Sequence, residues 1–199
     1  ARTKAISRTN ALGGPRQFVA LAPDVMLPPG QVMPRSTIRM KHPPLASFTT
    51  AAWAPADWTT VYQADQTLLA TGWVRFPLQV PFDYNGRSNV MVDFSFNNAQ
   101  FTSDGACRTT ATNATRMLTA QTDSGFGDPL NWAGTTAPAP SPNASFPNIQ
   151  FIAGSDVRVV PNYSGNFVNG VWSGEVVVRD AATDVFLIAD GGHSHTASS

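Results

Sequence analysis

From Thr71 to Phe96 the chain reads TGWVRFPLQVPFDYNGRSNVMVDFSF, with apolar and polar residues taking turns. Successive side chains of an extended strand point to opposite faces, so such a run builds strands with one buried face. Pro81 and the Asn85-Gly86 pair interrupt it, a second alternating run follows, and the whole reads as the core ladder of an antiparallel β protein. Beyond the turn, Val90, Val92 and Phe94 share one face, while Met91, Asp93 and Ser95 share the other. A carboxylate on that second face marks it as partly wet. The expected fold is all-β: an antiparallel sandwich.

Composition agrees. Of 199 residues, 42% are hydrophobic, enough for a core, and only 13% are charged, against roughly 25% in ordinary globular chains. The 15 Gly and 16 Pro residues interrupt helices, while Thr and aromatic residues suit strands. Further strands are expected at QFVALAP (17–23), RSTIRM (35–40), Thr60–Tyr62, RMLTAQT (116–122) and NIQFIA (148–153). Residues 1–17 read as a mobile basic arm or an edge strand. The proline-bearing stretch from Pro23 to Pro34 reads as a loop. So do residues 46–58, with Trp53 and Trp58, and 123–147, with Trp132. The pattern restarts at DVRVVP (156–161), FVNGVWSGEVVVRD (167–180) and ATDVFLIADG (182–191). Residues 1–153 are therefore expected to form the sandwich with its basic arm. Residues 154–199 form a short β-rich extension or a small, incomplete second domain.

Charge is unevenly spread. Residues 1–50 hold seven basic and one acidic side chain, about +6, and residues 51–199 hold six basic and twelve acidic, about −6. Arg35, Arg39 and Lys41 fit the solvent face of a strand on an acidic body. The basic residues form no cluster with interleaved aromatics, which argues against nucleic acid as partner. No run approaches the roughly 18 apolar residues that span a bilayer, so no membrane insertion is expected. The opening ARTKAISRTN carries no apolar signal segment.

The stretch ATGWVRFPLQVPFDYNGRSNVMVDFSFNN (70–98) resembles a module type of large secreted proteins of environmental bacteria. Trp73, Pro81, Phe82, Tyr84, Gly86 and Asn89 carry the likeness. NGVWSGEVVVRDAATDVFLIADGGHSHTAS (169–198) resembles a surface-protein segment that follows in such architectures. The two stretches cover about a third of the chain. The resemblance implies a jelly-roll-like β-sandwich on an exported, extracellular or cell-surface protein, with an accessory or adhesive role and no catalytic residues to carry over.

Rings in loops are the best functional material. Exposed Trp and Tyr stack on the apolar face of a sugar, which singles out Trp53, Trp58, Trp132 and Tyr84; Trp73 and Trp172 lie in strand patterns and read as core. Asp83, Asn85 and Asp57 offer the oxygen ligands that suit a structural Ca²⁺, although Asx turns explain them equally well. Asp184 and Asp190 offer a second, weaker set. His193 and His195, with His42 far upstream, would share one strand face and, given a third ligand, fit Zn²⁺ or Cu²⁺; an accidental pair near a polar tail is the plainer reading. Cys107 is the sole cysteine and reads as an inert thiol. No G-x-S-x-G elbow, HExxH or phosphate-cradling loop occurs, and Glu175 is the only Glu. The expectation is not an enzyme but an accessory module binding glycan or another surface ligand through loop aromatics. The alternative is a structural domain that packs against sister subunits or adjacent domains by strand addition, through the C-terminal strands and the basic arm.

Overall fold

The computed structural model describes all residues except 55, 101, 124, 137, 155–158, 162–163, 179–187, 191–195 and 199. Internal contacts divide the chain into Ala1–Gly154 and Ser155–Ser199.

The first unit is an all-β antiparallel sandwich. Its larger sheet runs in the order β11 (Ser141–Asn143), β10 (Met117–Ala120), β1 (Arg2–Ser7), β7 (Val90–Ser95), β3 (Val32–Lys41), β4 (Thr59–Thr67). The opposing sheet is built on one long strand, β2 (Arg16–Leu27). β6 (Phe76–Tyr84) and β5 (Gly72–Trp73) pair along one side, and β13 (Ile149–Ala153) and β8 (Ala106–Cys107) along the other. A small pair, β9 (Thr109–Ala111) with β12 (Ser145–Pro147), continues from it. Three backbone bonds lock that corner: Arg108 N–H donates to Asp24 O (2.8 Å), Asp24 N–H to Asn148 O (2.9 Å) and Asn148 N–H to Arg108 O (2.9 Å).

Three expectations change here. The basic arm is neither mobile nor an edge: β1 lies inside the larger sheet between β10 and β7. Arg2, Lys4 and Ile6 face one side of the sheet, and alternation survives because both faces are covered. The stretch from Pro23 to Pro34 is mostly strand. Pro23 falls where the partners of β2 change from β13 and β6 to β8 and β5, and Pro34 falls in a register shift between Met33 and Ser36. Both are positions where a ladder does without one N–H. Trp73 is 49% exposed rather than core, because two-residue β5 sits at the margin of its sheet; Trp172 is half-buried.

The main core lies between the sheets, where Phe18, Leu21, Phe76 and Phe82 meet Ile38, Met40, Val90 and Val92. A second core sits on the outer face of the larger sheet: Leu118 packs with Trp53 and Trp132, and Phe48, Ala51 and Ala120 lie against them. The long connections before β4 and after β10 therefore form a third layer. It covers the face that the sequence marks as wet, and Asp93 is fully buried there.

In Ser155–Ser199, β14 (Val159–Val160) pairs with β15 (Val177–Val178), and β16 (Ile188–Asp190) with β17 (Thr196–Ser198). The longer strands expected at 156–161, 167–180 and 182–191 run partly outside the described residues, as do His193, His195 and Asp184. Among the described residues no helix is long and apolar enough to cross a membrane.

Candidate functional site

Two places in the first unit concentrate polar chemistry. One is the covered outer face of the larger sheet. Cross-strand register places Asp93 beside Lys4 on β1 and Arg39 on β3. Arg2 grips Asp93 with two parallel bonds, Nε to Oδ1 and Nη2 to Oδ2, both 3.0 Å. Arg39 adds Nε at 3.0 Å and a close Nη2 contact to the same Oδ2. Arg2 Nη1 also donates to Pro129 O (2.7 Å) and Trp132 O (2.8 Å), and Lys4 Nζ donates to Ala54 O (2.9 Å). The cations thus tie both covering segments to the sheet. Burial pushes the Lys4 ammonium down to about 7; Asp93 opposes the shift, while Arg2, Arg39 and Lys41 add to it. Arg39 and Lys41, expected on a solvent face, lie instead within reach of the Trp58 ring, at 5.2 and 4.9 Å.

The tryptophans expected to bind ligand are part of this layer. Trp53 is 1% and Trp132 4% exposed, with ring centroids 5.9 Å apart. Arg2 lies 4.8 Å above the Trp53 ring. The Trp53 indole N–H donates to Pro138 O at 2.8 Å and that of Trp132 to Phe126 O at 3.1 Å. Neither ring is free to stack on a sugar. Trp58 is half-buried, with Lys4 at 5.0 Å. Tyr84 is buried too, stacked on Phe18 at 5.5 Å. The four rings do not form one platform, because each is drawn into packing or onto a cation.

The oxygens expected around Ca²⁺ are committed elsewhere. Asn85 Oδ1 accepts from the backbone N–H of Arg87 and Ser88, both 2.9 Å, an Asx turn in the connection that carries the chain from β6 in one sheet to β7 in the other. Asp83 Oδ1 accepts from Gln17 Nε2 at 2.9 Å. Asp57, at a left-handed φ of 63°, lies in the covering segment near Lys41, whose ammonium it favours. No group of three His, Cys, Asp or Glu residues that could hold a metal occurs among the described residues. His42 packs on Phe82 at 4.9 Å, and burial pushes its imidazole down.

The second place is a cleft of about 1270 Å³ between the two sheets at one end of the sandwich. Its floor is one register row across four strands: Thr119 on β10, Thr3 on β1, Phe94 on β7 and Ile38 on β3. The facing wall comes from Val25, Cys107 and Ile149 on β2, β8 and β13. The cleft exists because the larger sheet is six strands wide, while the other is only three rows wide with β2 in the middle. Short Thr side chains on the floor leave the gap unfilled.

Asn98 lines this cleft. Its Oδ1 and Nδ2 are both shielded from solvent with no hydrogen-bond partner among the described residues. Leaving a buried polar group unpaired costs about 1–3 kcal/mol. Cys107 opens at the mouth; partial burial and then the Asp24 carboxylate push its thiol up, which lowers the thiolate fraction and its reactivity. Sequence reading missed the cleft because its lining comes from segments far apart in the chain, each with ordinary strand patterning. Comparison of the chain with protein-family models, curated proteins and solved structures returns no match.

Proposed function

We propose that this chain is a non-catalytic binding module of an exported protein and that its ligand enters the cleft between the sheets. The observation carrying the proposal is the large cleft itself, which mixes apolar side chains such as Val25, Ile38, Phe94 and Ile149 with polar ones such as Thr3 and Thr119. Pockets that combine mostly apolar walls with a few placed polar groups are the usual form of a ligand site. A glycan or another surface ligand remains the class such a module recognises, but the route differs from the one expected. Trp53, Trp132 and Tyr84 are buried, which leaves Trp58 as the one expected ring partly open to solvent.

Binding of the neutral dye Nile red tests the site. The full chain enhances its emission. Thr119→Trp, which fills the floor, abolishes the enhancement, and so does capping Cys107 with a bulky maleimide. Trp58→Ala leaves it intact. Equal enhancement in the filled and capped proteins refutes the cleft as the site.

A second reading, assembly by strand addition, is favoured by one feature. Along β13 the described residues provide a partner on one side only, β2. Such an edge is a template for another strand. Donation by the basic arm has no support, since β1 is already paired on both sides. Light scattering distinguishes the readings: a dimer dispersed by Ile152→Pro supports assembly through β13, and a monomer refutes it.

A further inference from the structure

We infer that Arg8 and Arg116 form a binding site for an oxyanion, the phosphate, sulfate or carboxylate group of a small molecule, at the end of the larger sheet where β1 stops and β10 starts. The cleft lining includes neither residue, so this site and the cleft stand or fall independently.

Strand register brings the two side chains to one place. β1 and β10 run antiparallel with Ala5 opposite Met117, and at the next step of the ladder Ile6 N–H donates to Arg116 O at 3.0 Å. The Arg116 side chain is then pinned. Its Nε and Nη2 donate to Ile6 O at 2.9 and 2.6 Å, and the Phe146 ring lies 4.6 Å from its guanidinium carbon. Its Nη1 has no bond among the described residues and is open to water. Arg8 lies two residues beyond Ile6, and its charge adds to burial in pushing the Arg116 guanidinium down. The Arg8 side chain makes no hydrogen bond or ion pair among the described residues. Its Nε is shielded, whereas both terminal nitrogens are open to water.

No acid balances the pair. Residues 45–48, 85–92, 112–115 and 141–147 surround this end of the sheet through the bonds of Asn89, Phe48 and Arg116 and the Phe146 ring, and they contain no Asp or Glu. β1 and β10 contain none either. Asp93, farther along β7, is taken by Arg2 and Arg39. Two guanidinium groups thus face each other without a counterion, and like charges repel. A guanidinium presents its N–H groups in a planar fork that matches the oxygens of carboxylate and phosphate. An oxyanion that accepts from the terminal nitrogens of Arg8 and from Nη1 of Arg116 cancels the repulsion. Arg116 is already immobilised, so only Arg8 loses freedom on binding.

The test is a titration of the full chain with inorganic phosphate, sulfate and acetate, each against chloride at equal ionic strength, read by NMR at the Nε–H resonances of Arg8 and Arg116. At least one oxyanion shifts both resonances saturably, and chloride does not. Arg8→Gln breaks no bond of the free protein, so its urea midpoint without anion stays unchanged. Read at Arg116, its affinity falls at least about tenfold, the worth of one charge-assisted bond. Arg8→Lys keeps the charge but not the fork and recovers only part of the affinity. Arg108→Gln, on the opposing sheet, leaves affinity intact. A response to acetate alone assigns a carboxylate, and a response to phosphate or sulfate assigns a tetrahedral anion; either supports the site. Shifts that chloride reproduces, no saturation with any of the three anions, or equal affinity in Arg8→Gln overturns it.

Discussion

Asp93 is the buried acid on which two guanidinium groups converge, the buried Arg2 and the partly exposed Arg39 both on its carboxylate. Removing one member of a buried ion pair leaves an uncompensated charge and costs about 3–5 kcal/mol. Asp93→Asn is expected to lower the unfolding free energy by that amount, read as a lower urea midpoint at unchanged slope; a loss below about 1 kcal/mol would mean that the Pro129 and Trp132 carbonyls alone suffice for Arg2. Lys4 is the opposite case. Unfolded, it keeps its proton to 10.5, and folded only to about 7. Between those values the unfolded chain binds more protons, so the Lys4 contribution to stability rises with pH, and the burial penalty is fully present below about 7. Lys4→Met is expected to remove that rise and to stabilise the protein on the acidic side of the window by about 1–4 kcal/mol. Ala54 O is not orphaned by the change, since the Trp58 indole N–H also donates to it at 3.1 Å. Parallel urea titrations across the window check both points, and an unchanged pH slope in the variant would refute the assignment.

Among the elements, the turn between β6 and β7 was legible because its cause is local; that it passes the chain from one sheet to the other was not. Asn85-Gly86 supplies a turn, and Gly86 takes φ 72°. Its second constraint was not legible: an added Cβ would stand 2.4 Å from Pro15 Cδ and 2.5 Å from Pro15 N. Gly86→Ala therefore combines left-handed strain with a backbone clash and is expected to lose about 2–5 kcal/mol. Gly72, at φ 84° with open space around it, carries the strain alone, so Gly72→Ala is expected to lose only about 1–2 kcal/mol. Thermal melts of the pair separate the two effects, and equal losses would show that Pro15 gives way. The same contrast explains β1 and Asp93. Alternation tells which residues share a face, but not what covers that face. The cover comes from residues 42–58 and the segment after β10, and it turns Arg2, Lys4 and Asp93 from apparent surface groups into a buried network.

At the scale of the molecule, sandwich class follows from period-two patterning summed over many strands, which is why it could be read from the chain. The cleft follows from unequal sheet widths and from which short side chains fall on one register row. Both depend on pairings between strands distant in sequence, such as Thr3 with Thr119 and with Phe94. Trp53 and Trp132 were misplaced for a related reason: a loop has no periodicity from which to infer burial, and these loops carry a core of their own. The division of the chain has a consequence that can be measured. Both hydrophobic clusters lie within Ala1–Gly154, and β13, the last strand of the sandwich, ends at Ala153, with Gly154 N–H still bonded to Gln17 O at 2.9 Å. Every strand of the two facing sheets therefore finds its partners before residue 155. A fragment of residues 1–154 is expected to fold cooperatively, with an unfolding free energy from urea titration matching that of the same transition in the full chain to within about 0.5 kcal/mol, the range of changes that touch no core contact. An unfolded fragment, or an unfolding free energy lower by several kcal/mol, would show that residues 155–199 supply part of the sandwich's stability.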